Sequence, residues 1–207
     1  MTRENDLHLD KLRKARERGL IDSHGFYGLQ WGNPDERPDL VSVRDRFVWP
    51  FVHPDKVAVE IGPGGGRWTR YLLPCRILYV VDHYQELLDE LRRNFRAPNM
   101  HFVRNSGTDF PGIERGSVDL VFSYGTFVHF DVAMIAAYLR EIRKILKPGG
   151  DCVIQYADKS KPVGAATPSF PDCDPEQMAS LVTECGFTIR DHDRTTLNNS
   201  GIIRFTY

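Results

Sequence analysis

Residues 57–70 constrain the fold of this chain more than any other part of the sequence. They begin with the apolar run VAVEI, pass through the glycine-rich stretch GPGGG and continue into RWTR, which is compatible with a helix. This pattern is typical of a buried parallel strand that turns sharply into a helix. Glycines at such a turn let a ligand approach the backbone, and the first N–H groups of the helix are free to bind it. The sequence therefore predicts a ligand site at this turn.

The spacing of the glycines bears on the identity of the ligand. A dinucleotide-binding turn has the spacing Gly-x-Gly-x-x-Gly, and counted from Gly62 its third glycine would fall on Arg67. The glycines lie instead at positions 62, 64 and 66, and Glu60 precedes them. A tight turn without any ligand is the plain alternative, so the flanking chain has to corroborate a ligand site.

The chain after residue 57 alternates between strand-like and helix-like segments. Apolar runs at 77–81, 101–103, 117–122 and 152–156 are separated by segments with apolar residues at helical spacing, such as 84–95 and 131–146. This order predicts an α/β fold, with a parallel sheet that carries helices on both faces. Asp82 ends the second strand about 20 residues after the first glycine, where its carboxylate can accept hydrogen bonds from both ribose hydroxyls of an adenosine.

Together these features resemble class I S-adenosylmethionine-dependent methyltransferases. Glu60 with glycines at 62, 64 and 66 resembles their Glu-x-Gly-x-Gly-x-Gly signature, and LKPGG at 146–150 followed by CVIQY resembles their junction between a helix and the fifth strand. The strand-like segments 187–190 and 201–207 resemble their terminal hairpin. The resemblance covers roughly residues 55–207. It implies a Rossmann-like doubly wound seven-stranded sheet, mostly parallel with an antiparallel last strand, and S-adenosylmethionine as the cofactor.

The resemblance also implies which residues bind the cofactor. Glu60 would lie near the methionine part, which carries an ammonium. The turn at 104–109 resembles the adenine loop, but the usual acidic residue aligns with Ser106, so the Ser106 hydroxyl and the Gly107 backbone would bind the base edge. The predicted cofactor-binding set is Glu60, Gly62, Pro63, Gly64, Gly66, Asp82, His83, Ser106, Gly107, Ser123, Tyr124 and Trp31.

The segment SYGTFVHFD at 123–131 follows the fourth strand and is the predicted chemical end of the sheet. Ligands of open α/β sheets bind outside the carboxyl ends of the strands, near the point where strand order reverses, which here lies between the first and fourth strands. His129 is therefore the candidate general base, and its alternative is a structural histidine that packs against the next helix. Tyr124 would orient the acceptor or contact the cofactor. His129 and Asp131 alone are too few ligands to predict a metal site.

Composition narrows the remaining options. A length of 207 residues fits one domain. The net charge of −1 gives no overall electrostatic attraction to nucleic acid or to an anionic membrane. Four scattered cysteines predict reduced thiols in a cytoplasmic protein, and the sequence has neither a membrane-length apolar run nor a secretory signal peptide. We therefore expect no nucleic-acid or membrane partner, whereas the N-terminal aromatics leave self-association as a homo-oligomer open.

The predicted organisation is a helical and aromatic lead-in at 1–56 that covers the pocket, followed by the S-adenosylmethionine-binding domain at 57–207. The lead-in includes a charge run at 11–18, expected to be a solvated helix, and Trp31 is the candidate lid residue. The segment 157–172 is too long for a mere connector and is expected to face the acceptor or to be a surface loop. Its Lys159 and Lys161 would meet an anionic acceptor or face water.

The predicted function is methyl transfer from S-adenosylmethionine to a hydroxyl or amine of a small molecule. EIGPGGGRWT together with FVHFD resembles small bacterial methyltransferases of sugars or secondary metabolites, and this resemblance implies those acceptor classes. A non-catalytic adenosine-cofactor-binding or scaffold protein is the main alternative. An NAD-dependent oxidoreductase has less support, because Arg67 breaks the glycine spacing and no Tyr-x-x-x-Lys pair is evident.

Overall fold

The computed structural model describes Gly28 and residues 31–207. Within these residues, strands β1 to β7 are Val57–Ile61, Ile77–Asp82, Met100–Arg104, Val118–Ser123, Leu146–Ala157, Thr188–Asp193 and Ser200–Thr206. The α-helices α1 to α6 are Pro38–Phe47, Thr69–Leu72, Gln85–Asn94, Val132–Ile145, Pro162–Ala165 and Pro175–Glu184. Two short 3-10 turns, Trp49–Phe51 and Phe127–His129, complete the described elements.

The strands form one sheet in the order β3-β2-β1-β4-β5-β7-β6. Pairing is parallel from β3 across to β5, and β7 runs antiparallel to both of its neighbours, β5 and β6. The predicted α/β fold with an antiparallel last strand is confirmed. Strand order reverses between β1 and β4, so the carboxyl ends of these two strands flank the crevice in which such sheets bind ligands.

The continuous apolar run of β1 is explained by its two buried faces. Val57, Val59 and Ile61 belong to one core cluster, whereas Ala58 belongs to the cluster on the opposite face. Alternate side chains of a strand point to opposite faces, so a strand covered on both sides is apolar at nearly every position. The exception in β1 is Glu60, which is buried although it is ionisable.

Helix α1 shares the core of the sheet. Its buried residues Leu40, Val43 and Phe47 lie in the same cluster as Ala58 of β1. Residue 56 is therefore not a boundary between two cores, and at least residues 38–47 of the predicted lead-in pack with the sheet. Residues 1–27, with the charge run at 11–18, lie outside the described residues.

Two helix starts are explained by short-range sequence signals. The Asp131 side chain accepts a hydrogen bond from the Met134 amide (2.8 Å) at the start of α4. Asp174 and Gln177 form a reciprocal capping box at the start of α6. The predicted strand at 152–156 is longer than expected, because β5 begins at Leu146, which pairs with Val118 before a register shift. None of the described helices is long and apolar enough to cross a membrane.

Candidate active site

The loop after β1 depends on glycine for its backbone. Gly62, Gly64 and Gly66 have φ angles of +68°, +55° and +96°, in the left-handed region that favours glycine. A Cβ atom at Gly62 would overlap the Thr126 hydroxyl, and one at Gly66 would overlap the Phe95 ring. Two of these glycines are thus required by protein packing, whether or not the turn also admits a ligand.

Glu60 lies beneath this loop at the end of β1. Its side chain is buried, and Oε2 accepts a hydrogen bond from the Thr69 hydroxyl at 2.6 Å. Burial raises the pKa of Glu60 to about 8, because the charged form loses its hydration, and the bond from Thr69 opposes this effect. A cation bound at Glu60 would stabilise the carboxylate that burial disfavours.

Asp82 lies at the end of β2, the strand next to β1. It is buried and accepts a hydrogen bond from the Tyr84 amide at 2.9 Å, and burial raises its pKa to about 7. The neighbouring His83 has a buried Nδ1 that makes no hydrogen bond within the described residues. Asp82, which is predicted to bind an adenosine ribose, thus supplies a buried carboxylate, and the neighbouring His83 of the predicted cofactor-binding set supplies a buried imidazole nitrogen.

The predicted adenine turn follows β3 and is organised by Asp109. One carboxylate oxygen of Asp109 accepts from the Ser106 amide (2.8 Å) and from the Ser106 hydroxyl (3.1 Å). The Gly107 carbonyl accepts from the Tyr138 hydroxyl at 2.7 Å, which fixes the turn against α4. A Cβ at Gly107 would meet nothing within 4 Å, so there is open space beside this glycine. Asp109 thus holds the turn in shape.

Ser123 is the one member of the predicted cofactor set that the structure contradicts. It is fully buried, and its hydroxyl donates to the Ile61 carbonyl at 2.9 Å. It therefore ties the end of β4 to the end of β1, and no surface remains for a ligand. The next residue, Tyr124, stacks obliquely on Trp68 with ring centroids 4.6 Å apart, and burial raises its pKa.

His129 ends the 3-10 turn that follows β4. Its ring is partly buried and lies 6.1 Å from the ring of Phe170, which comes from the segment 157–172. That segment therefore contacts the candidate base. Asp131 is used as the cap of α4, so its Oδ1 is occupied by a backbone amide.

The lysines of the segment 157–172 bind backbone carbonyls. Lys161 Nζ donates to the carbonyls of Leu197 and Ser200, each at 2.7 Å, and Lys159 Nζ donates to the Thr167 carbonyl at 3.0 Å. Both ammonium groups thus hold the segment in place, a role that sequence reasoning, which offered an anionic acceptor or water, did not predict.

Comparison with known proteins finds a similarity over the centre of the chain. Residues 58–150, which run from β1 into β5, match a family model described as a methyltransferase domain. A search of curated proteins finds no match.

Solved structures agree with this match in their fold. The chain superposes on an S-adenosylmethionine-dependent methyltransferase from Aquifex aeolicus with a TM-score of 0.66 and 14% identity, covering 93% of this chain and 98% of that one. One from Mesorhizobium loti gives a TM-score of 0.68 at 13% identity, covering 84% and 100%. A geranyl diphosphate C-methyltransferase from Streptomyces coelicolor A3(2) gives 0.64 at 13% identity, covering 81% and 76%. The chain therefore has the fold of S-adenosylmethionine-dependent methyltransferases.

Sequence reasoning missed two residues that border the candidate site. Gln155 of β5 accepts a hydrogen bond from the Gly125 amide at 2.7 Å and so shapes the exit of β4. Arg67 was used only to exclude a dinucleotide, yet its side chain is buried beside Tyr124, with the guanidinium carbon 5.3 Å from that ring. Trp31 is 43% exposed, and its role as a lid stays a prediction.

Proposed function

We propose that this protein transfers the methyl group of S-adenosylmethionine to a hydroxyl or amine of a small-molecule acceptor, and that sugars and secondary metabolites are the first classes to test. The observation that carries the proposal is the pair of buried carboxylates, Glu60 and Asp82, at adjacent strand ends on either side of the left-handed glycine loop. An ammonium and a pair of ribose hydroxyls are the groups that such carboxylates would bind.

The described residues fit this cofactor. Glu60 would hold the ammonium of the methionine part, Asp82 and His83 would hold the ribose, and the open space at Gly107 would admit the base edge. S-adenosylmethionine supplies an electrophilic methyl group on a sulfonium. With Ser123 removed, the proposed contact set is Glu60, Gly62, Pro63, Gly64, Gly66, Asp82, His83, Ser106, Gly107, Tyr124 and Trp31.

His129 is the proposed general base for the acceptor. It follows β4, the strand whose carboxyl end lies beside that of β1, and Phe170 packs against one side of its ring. A neutral imidazole here would accept the proton that a hydroxyl or ammonium group loses as the methyl group arrives. Such a base contributes a factor of about 10² to 10⁴ in rate.

The acceptor is proposed to be small, because the described residues contain no inserted substrate domain and leave the segments around Trp31 and at 157–172 to shape specificity. Fold similarity does not select the acceptor atom, since one of the similar structures is named as a C-methyltransferase. The acceptor has to be found by experiment, and a radiolabelled methyl-transfer screen over sugars, nucleotide sugars, phenols and amines is the direct route.

Calorimetric titration tests the cofactor part of the proposal. We expect saturable binding of S-adenosylmethionine and of S-adenosylhomocysteine, and none of NADH. Binding of NADH alone would overturn the proposal. Binding of S-adenosylmethionine without transfer to any acceptor in the screen would favour the non-catalytic alternative.

His129→Ala tests the base. We expect the variant to keep the affinity for S-adenosylhomocysteine within threefold and to lose at least tenfold in kcat with the acceptor found in the screen. Phe170→Leu is the matched control, because it alters the packing beside the imidazole and leaves the base in place. If His129→Ala turns over at the wild-type rate, His129 is a structural residue.

A further inference from the structure

Arg67 is a buried arginine for which the described part of the chain supplies no carboxylate partner. Only 8% of its surface is exposed, and its hydrogen bond within the described residues is a long one, from Nη1 to the Gly32 carbonyl at 3.4 Å. No aspartate or glutamate among the described residues lies within ion-pair distance of its guanidinium. A guanidinium stays protonated under all ordinary conditions, so this positive charge is buried with little compensation.

The two arginines nearby are compensated. Arg37 pairs with Asp39 at 2.6 Å, and Arg70 lies 3.2 Å from a carboxylate oxygen of Asp35. Burial lowers the pKa of Arg67 the most, and the positive charges of Arg37 and Arg70 lower this pKa further. Among the described residues, Arg37 and Arg70 thus each lie beside a carboxylate, whereas Arg67, the most buried of the three, does not.

The position of Arg67 places this charge at the crevice between β1 and β4. An ideal Cβ built on Gly125 would lie 3.9 Å from Arg67 Nη2, and one on Gly28 would lie 3.6 Å from Nε. The guanidinium therefore spans the gap between the lead-in and the segment that follows β4. The same segment contains Tyr124, whose ring faces the guanidinium, and continues to His129.

This inference rests on the proposed function. We propose that the Arg67 guanidinium binds an anionic group, a carboxylate or a phosphate, on the methyl acceptor. An oxyanion would supply the charge that the protein does not, and a guanidinium can hold it through two parallel hydrogen bonds. The methylated atom would then lie at a fixed distance from the bound anion, on the side of the crevice formed by the segment after β4.

Matched acceptors test the preference for an anion. Radiolabelled methyl transfer is measured with glucuronate, glucose 6-phosphate and glucose, and with 4-hydroxybenzoate and 4-hydroxybenzamide. We expect the wild-type enzyme to favour the anionic member of at least one set by more than tenfold in kcat/KM. Arg67→Gln should remove that preference mainly through KM, whereas Arg67→Lys should restore part of it. An enzyme that uses only the neutral members would overturn the proposal.

Anion binding gives a readout that does not depend on turnover. Inorganic phosphate is titrated calorimetrically into the complex with S-adenosylhomocysteine. We expect millimolar binding by the wild-type protein, at least tenfold weaker binding by Arg67→Gln, and no change for Arg115→Gln, which removes an exposed positive charge. Equal phosphate binding by the wild type and Arg67→Gln would contradict the proposal, as would the absence of binding by the wild-type protein.

The carboxylate of the cofactor is the other oxyanion that could reach Arg67. Binding of S-adenosylhomocysteine is therefore compared with that of 5′-methylthioadenosine, which lacks the amino acid. If Arg67→Gln weakens only S-adenosylhomocysteine, by tenfold or more, Arg67 serves the cofactor and the proposal fails. A failure of the proposed function can be told apart from a failure of this inference. If the proposed function is wrong, the wild-type protein binds neither S-adenosylmethionine nor S-adenosylhomocysteine.

Discussion

Substitution of Gly62 by alanine isolates the packing role of the glycine loop. The residue has a φ of +68°, and an added Cβ would overlap Oγ1 of Thr126 and lie 2.7 Å from its Cγ2 and 2.8 Å from its Cβ. A left-handed backbone costs an alanine about 1 to 2 kcal/mol, and overpacking typically costs about 1 to 3 kcal/mol. We therefore expect Gly62→Ala to lower the free energy of unfolding by about 2 to 5 kcal/mol.

Thermal unfolding without ligand measures this effect. For a chain of this length, each kcal/mol shifts Tm by about 2 to 4 °C, so the expected decrease in Tm is at least about 4 °C. The double variant Gly62→Ala, Thr126→Ala separates the backbone strain from the overpacking against Thr126. It removes Oγ1 and Cγ2, the atoms that clash most, and leaves the backbone strain in place. We expect the double variant to be more stable than the sum of the single effects by about 1 kcal/mol or more.

Gly107→Ala is the matched control. A Cβ at this position meets nothing within 4 Å, and its φ does not lie in the left-handed region. Its stability should therefore stay close to that of the wild type, and its affinity for S-adenosylhomocysteine should fall if the space beside it holds the adenine edge. An unchanged Tm for Gly62→Ala, or strict additivity with Thr126→Ala, would refute the packing argument.

Three further perturbations follow from the structure. Asp131→Ala removes the cap of α4 and should destabilise the fold by about 1 kcal/mol, measured by urea denaturation. Burial raises the pKa of Glu60 from 4.5 to about 8, so without ligand the folded state binds a proton that the unfolded state does not bind between these values. The free energy of unfolding should therefore fall as pH rises from 5 to 8, and Glu60→Gln should flatten this slope by up to about 1.4 kcal/mol per pH unit. Trp31→Ala should weaken binding of S-adenosylhomocysteine or of the acceptor in calorimetric titration, and wild-type affinities for both would exclude the lid.

The parts of the structure that the sequence predicted well depend on short-range or periodic signals. Asp131 and Asp174 bind backbone amides three residues later, so their caps are visible in a few letters. Strand β1 could be predicted from the sequence because it is apolar on both faces and lies between turn-forming residues. The topology then follows from the alternation of strands and helices and from the usual handedness of crossovers.

The features that could not be predicted from the sequence depend on hydrogen-bond partners that lie far away in the chain. Ser123 donates to Ile61, 62 residues earlier, and Lys161 donates to Leu197, 36 residues later. Whether such a polar side chain faces a ligand or a backbone carbonyl is decided by tertiary packing, which residue type and spacing do not encode. Arg67 is a similar case, because its burial depends on Gly28 and Gly32 of the lead-in.

The charges around the crevice suggest why binding of the two substrates would also stabilise the protein. Glu60 and Asp82 are carboxylates for which burial disfavours the charged form, and Arg67 is a buried cation without a carboxylate partner among the described residues. The cofactor carries an ammonium and hydroxyl groups that would satisfy the carboxylates, and an anionic acceptor would satisfy the arginine. Opposite charges buried in a region of low dielectric stabilise each other strongly when paired, and each is costly when alone. The ligand-free crevice would therefore be less stable than the ternary complex, and the acceptor would be selected by a charge that the protein itself leaves uncompensated.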